Sequence, residues 1–123
     1  MKRIYIYNLT QHMKTSDQVQ VVEPSSENKE KIKKLLTFET KPIKEELELR
    51  AIKLVTLIPW NFKTIMIGGA PYFMKTLHET LVNHGFKPVY AFSKRESVEI
   101  VQEDGSVKKI NKFKHAGFVG MSD

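Results

Sequence analysis

No cysteine occurs anywhere in the 123 residues. Disulfides and thiolate metal sites are therefore excluded, and a reducing cytoplasm fits the composition. Long hydrophobic runs are missing as well. No apolar stretch approaches the ~20 residues that a membrane-spanning helix needs, so no membrane partner is expected. The opening MKRIYIYNLT is basic at its start, but its apolar part is too short for a secretory signal. It reads as a first strand. The phosphate-binding fingerprints GxGxxG and the P-loop are absent, and neither a Ser/His/Asp elbow nor a catalytic carboxylate pair stands out. His78 and His84 lie six residues apart along one helical pattern, a poor spacing for two ligands on one face. Neither a metal nor a cofactor is expected, and there is no internal repeat or low-complexity segment.

What is present bounds the class. Hydrophobic residues make up 41% of a chain long enough for one core, so residues 1–123 are read as a single domain. The 20 Lys and Arg against 14 Asp and Glu give a net charge of +6, which favours anionic partners such as RNA or nucleotides. DNA is not expected among them. The lysine runs KEKIKK and KKINKFK read first as solvated faces.

Periodicity orders the chain. Arg3–Asn8 alternates and is rich in β-branched and aromatic residues, as in a strand. Thr15 is placed to cap a short helical turn. Val19–Glu23 reads as a second strand stopped by Pro24, and Ser25 or Ser26 as the cap of a helix over Glu27–Phe38. A longer helix is expected from Ile43 to Leu57, with Pro42 in its first turn and Ile43, Leu47, Leu54 and Ile58 on one face. The apolar run Thr64–Ile67 suits a central parallel strand. The helix after it starts near Pro71, keeps Phe73, Leu77 and Leu81 on one face, and stops at Gly85. Lys87–Phe92 is the next strand. Ser97–Gln102 and Val107–Phe113 alternate around Asp104-Gly105, a hairpin turn signal, and the tail KHAGFVGMSD is left open. The expected fold is α/β: a Rossmann-like three-layer sandwich with a mostly parallel central sheet and a C-terminal β-hairpin.

Three segments then fall just past the carboxyl ends of strands, where open α/β sheets bind ligands, and they are expected to meet. The first is Asn8-Leu9-Thr10-Gln11-His12. A lone loop histidine is most often merely solvated. Here Asn8, Thr10 and Gln18 give it a polar setting without packing purpose, so His12 is read as a proton-transfer group. The second is Gly68-Gly69-Ala70-Pro71-Tyr72, a strand-to-helix turn. It either lets an anion approach backbone amides at a helix start or is simply a tight packing turn. Tyr72 is suited to stacking on a base, to protonating a leaving oxygen, or to a rim position. The third is Ser93-Lys94-Arg95-Glu96-Ser97, either a polar loop into the hairpin or a phosphate grip, with Arg95 bidentate and Glu96 beside it. Histidine plus cations without metal suits RNA cleavage, in which a ribose 2′-hydroxyl attacks its own adjacent phosphate.

The segments NLTQHMKTSDQ, ELELRAIKLV and GGAPYFMKTLHETLVNHGFKPVYAFSKRES resemble the small stand-alone CRISPR-associated ring nucleases of type III systems. The resemblance covers about three quarters of the chain and is most specific in the last segment. It implies degradation of cyclic oligoadenylate messengers, which switches off antiviral signalling. It implies homodimers of Rossmann-like subunits, with the cyclic ligand across the two-fold axis and facing the strand carboxyl ends. It implies metal-independent cleavage to linear products ending in a 2′,3′-cyclic phosphate. Carried onto this chain, the NLTQH histidine is His12, the GGAP turn is Gly68 to Pro71 and the AFSKRES element is Ser93 to Ser97. Together with the reading of the residues above, the expected site has His12, Arg95 and Glu96 as catalytic, and Asn8, Thr10, Gln18, Gly68, Gly69, Ala70, Tyr72, Ser93, Lys94 and Ser97 as ligand-binding. Two rivals stand beside it: a cyclic oligoadenylate sensor or sponge without chemistry, and a basic RNA-binding protein. The absence of an aromatic RNP-like stripe tells against the second.

Overall fold

The computed structural model describes residues 4–12, 14 and 20–120. In chain order they form β1 (Ile6–Asn8), β2 (Val21–Val22), α1 (Ser26–Leu36), α2 (Lys44–Thr56), β3 (Thr64–Met66), α3 (Pro71–Asn83), β4 (Lys87–Val101) and β5 (Val107–Val119). One five-stranded sheet runs β2-β1-β3-β4-β5. Its first three pairings are parallel, and β4–β5 is antiparallel. The described residues are thus mixed α/β with a mostly parallel sheet, three helices and a C-terminal antiparallel pair.

The helices form where the sequence supplies a face and a cap. Ser25 Oγ accepts from the Asn28 amide at 3.3 Å and starts α1, which buries Ile32 and Leu36. In α2 the buried residues are Ala51 and Leu54. Ile43, expected on the buried face, instead precedes the first turn as its N-cap and is exposed. Pro42 accordingly lies before the helix, not in its first turn. α3 buries Phe73, Met74, Leu77 and Leu81, and Gly85 follows its cap with φ +85°.

All three helices share one core with Tyr7, Leu9, Ile65 and Ile67, which alternate onto one face of the sheet. Handedness explains this. The crossovers β2 to β3 and β3 to β4 both advance in the same direction across the sheet, and right-handed connections then put their helices on the same side. The opposite face carries Ile6, Val21, Met66 and Val89 with Phe118. The second helical layer of the expected sandwich has no counterpart among the described residues.

The C-terminal third departs most from expectation. β4 does not stop at Phe92, and Ser93–Ser97 is not a loop. The strand continues to Val101, and the tail is not open but pairs with it as far as Val119. The hairpin turn itself falls at Gln102–Ser106: Gly105 has φ +85°, the Gln102 amide donates to Ser106 O at 2.7 Å, and Asp104 Oδ1 accepts from the Ser106 amide. Near its base the ladder skips. Ala91 pairs with Phe118 and Ser93 with His115, so Ala116-Gly117 face Phe92 alone, with Gly117 at φ +115°. That is a bulge, which bends and twists a strand pair. Phe118 at the base of β5 still packs on the sheet face; beyond the bulge the ribbon continues as a two-stranded arm from Ser93↔His115 to Val101↔Val107.

Candidate functional site

The carboxyl ends of β1, β2 and β3 lie at one edge of the sheet, because the three strands are parallel. Their loops are built from the backbone upward. The Leu9 amide donates to Met66 O at 2.9 Å, extending the β1–β3 ladder into both loops. The positions then converge. A β-carbon on Gly68 would sit 3.6 Å from Thr10 Cγ2, so the first two expected segments do touch.

Asn8 organises the loop after β1. It is 2% exposed, and its amide makes four hydrogen bonds within the chain. Nδ2 donates to His12 O at 2.7 Å and to Glu23 Oε2 at 2.6 Å. Oδ1 accepts from the Thr10 amide at 3.0 Å and from Thr10 Oγ1 at 2.6 Å. That is the full capacity of a side-chain amide. Asn8, expected to bind ligand, is therefore a positioning residue. Glu23 is the other anchor: it also accepts from the Lys14 amide at 3.1 Å and pairs with Lys29 Nζ at 3.8 Å. Beneath the loop, Tyr7 packs its ring 5.0 Å from Phe62. Burial pushes its hydroxyl above the ordinary tyrosine range, partly offset by a hydrogen bond with Asn28 and reinforced by the Glu23 charge.

With its backbone held from both sides, His12 presents an exposed imidazole that no described group hydrogen-bonds. It borders a cleft of about 170 Å³ lined by Asn8, Thr10, Gln11, Glu23, Lys29 and Lys33, among others. Lys29 and Lys33 come from one face of α1, four residues apart. They belong to the lysine run expected to be a solvated surface. Their i, i+4 spacing, just after the strand-ending Glu23-Pro24, is the signal that would have placed them here.

The Gly68–Tyr72 turn forms the next stretch of the edge. Gly69 has φ +148°, and α3 opens at Pro71 without a side-chain cap. The Phe73 and Met74 amides both turn onto Ala70 O, at 3.0 and 3.1 Å. Tyr72 is half-exposed and packs edge-on against Phe38, ring centroids 5.5 Å apart. Gln18 and Thr15 lie outside the described residues.

Ser93, Lys94, Arg95, Glu96 and Ser97 are not gathered to this edge. Val89 is the last β4 residue paired with β3, and Arg95 lies six extended residues farther, about 20 Å along the strand. The five residues alternate between the two faces of the arm, with Arg95 opposite Phe113 and Glu96 opposite Lys112.

A larger groove of about 500 Å³ between α1 and α2 contains Arg50. Its guanidinium is already committed. Nη1 donates to the carbonyls of Lys34, Leu35 and Thr37, the last at 2.6 Å, and Nη2 to Glu46 at 2.8 Å. It also stacks 4.2 Å over Phe38. This arginine closes the carbonyl end of α1 and is not available to a ligand.

The uncharacterized protein MJ1673 family matches residues 5–119. The chain belongs to that family. The match begins before β1 and ends at the last residue of β5, so the family includes the arm as well as the α/β body. No curated protein and no solved structure matches the chain. The family's description names no activity, and the functional reading therefore rests on the site. Among the described residues no helix is long and apolar enough to cross a membrane.

Proposed function

We propose that this protein is a metal-independent ring nuclease of type III CRISPR defence, acting in the cytoplasm as a homodimer on cyclic oligoadenylates. The reading keeps the Rossmann-like logic of a parallel core with its ligand at the strand carboxyl ends. One observation carries it. The Asn8–His12 loop and the glycine turn before α3 abut at that edge, with His12 exposed beside Lys29 and Lys33. In this reading the lysines and the uncapped start of α3 attract the phosphates. His12 moves the proton between the attacking 2′-hydroxyl and the leaving 5′-oxygen, and the product keeps a 2′,3′-cyclic phosphate. Because the arm carries Arg95 and Glu96 away from the cleft, charge neutralisation falls to Lys29 and Lys33.

The test compares variants under single-turnover conditions. His12→Ala is expected to slow cleavage by about 10²–10⁴-fold, the usual worth of a general acid or base, while ligand binding changes little. Lys33→Ala is expected to weaken binding. Unchanged cleavage in His12→Ala removes the histidine from the mechanism. Tight binding of intact ligand by the unaltered protein, without product, favours a sensor or sponge.

A further inference from the structure

The arm poses a physical problem that the rest of the chain does not solve. A two-stranded ribbon standing alone in water is marginally stable at best. This one runs without interruption from Ser93↔His115 to Val101↔Val107, about 27 Å of ladder. It exposes Val101, Val107 and Phe113, the last at 74%. β3 pairs with β4 only through Val89. The β4 edge on that side, from Ser93 to Val101, is therefore unpaired among the described residues.

The two edges of the ribbon differ in charge. β5 carries Lys108, Lys109, Lys112 and Lys114 and no acidic residue. Lysines on an edge strand oppose pairing with a like strand. β4 carries both signs instead: Lys94, Arg95 and Glu96 lie near its base, and Glu99 lies near its tip. A two-fold axis perpendicular to the ribbon pairs residues whose separation is even, so the register can be scored. Centring on Glu96 or Glu99 sets like charges face to face; centring on Arg95 pairs Lys94 with the partner's Glu96 twice but sets the two arginines against each other at the axis. Centring on Val98 makes no ion pair. Centring on Ser97 sets Arg95 opposite the partner's Glu99, and Glu99 opposite the partner's Arg95, with the small serines at the axis.

We propose that the arm is a dimerisation element. β4 pairs antiparallel with β4 of a second copy about Ser97, giving a four-stranded ribbon in the order β5-β4-β4-β5. The added ladder supplies about nine backbone hydrogen bonds and two cross-strand ion pairs. Arg95 then lies between Phe113 of its own chain and the partner's Glu99. The interface is isologous and closes at two copies. It gives a location to the homodimer of the functional reading, but it does not depend on what the site cleaves.

Sedimentation of the full chain is expected to give twice the 14.3 kDa chain mass. The absence of native cysteine allows the register to be read by cross-linking. Under mild oxidation, Ser97→Cys is expected to yield a covalent dimer, since residues at the axis fall within disulfide reach. Ser93→Cys alone and Val101→Cys alone are expected not to, because each lies about 27 Å from its own copy. The two co-expressed are expected to cross-link to each other. A chain that stays monomeric at high concentration overturns the proposal, as does a monomer whose lysines retard duplex RNA. A dimer that cross-links through Ser93→Cys alone overturns the register. A correctly cross-linked dimer that leaves cyclic oligoadenylates intact tells against the nuclease and not against the arm.

Discussion

Replacing Asn8 by alanine removes four hydrogen bonds at once and severs the loop after β1 from Glu23. Three of the bonds join neutral groups and are worth about 1 kcal/mol each; the one to the Glu23 carboxylate is worth about 1.5–3 kcal/mol. The simple sum is about 5 kcal/mol. The loop lies at an exposed lip, where water can recover part of the loss for His12 O and Thr10. The expected destabilisation is therefore about 3 kcal/mol, or a melting temperature lower by about 10 °C in a chain of this size. Urea unfolding, with the slope checked for constancy, measures it. Asn8→Asp sharpens the argument. It keeps the shape but replaces the donors that face Glu23 and His12 O with a carboxylate beside a carboxylate. Its loss should at least match that of alanine at neutral pH and shrink in acid, where one of the pair takes a proton. A loss under about 0.5 kcal/mol for Asn8→Ala would refute the view that this amide holds the site together.

Other consequences can be checked in the same way. Arg50→Met should cost about 2–4 kcal/mol in thermal or urea unfolding, since it removes the guanidinium donor from the Leu35 and Thr37 carbonyls and from Glu46, and Arg50→Lys should restore little of it because an ammonium cannot fork onto several acceptors. Gly120→Ala should destabilise by about 1–3 kcal/mol, because φ is +101° and the new β-carbon would lie 2.9 Å from the Pro88 carbonyl oxygen. Ser106 holds the Asp104 carboxyl below the ordinary aspartate value, through its hydroxyl and its amide. The turn is therefore favoured above the unfolded pKa and loses that contribution as pH falls through the folded one. A carboxyl titration by NMR should show the lowered midpoint, and Ser106→Ala should move it back toward the ordinary value. The buried Tyr7 has the opposite sign: its raised pKa favours the fold below the unfolded tyrosine value, and stability should decline as pH rises from there toward the folded pKa. Tyr7→Phe should flatten that alkaline decline in urea unfolding.

Elements with a strong local signature were legible in the sequence. Phe73, Leu77 and Leu81 announce the buried stripe of α3, and Gly85 announces its end. Asp104-Gly105 announces the hairpin turn, and Thr64–Ile67 announces a buried strand. What failed was continuity. Ser93–Ser97 is polar on both sides and looks like a loop, because a strand is usually recognised by the face it buries and the arm buries neither. Ala116-Gly117 looks like an open tail, yet the glycine is what lets the ladder skip a residue and resume at Phe118. The candidate site was half legible. That the loop after β1 meets the glycine turn follows from the parallel order of strands. That Asn8 is consumed within the chain, and that Lys29 and Lys33 face the cleft, depends on how far α1 rotates about its axis, which Ile32 and Leu36 fix only once they are seated against the sheet.

Cleavage itself is read from the products. The purified protein would be incubated in EDTA with cyclic tri-, tetra- and hexa-adenylate, and the products resolved by chromatography and mass spectrometry. The expected result is linear oligoadenylate ending in a 2′,3′-cyclic phosphate, formed by the unaltered chain and not by His12→Ala. Rings that remain intact after long incubation, whether bound or free, would contradict the claim.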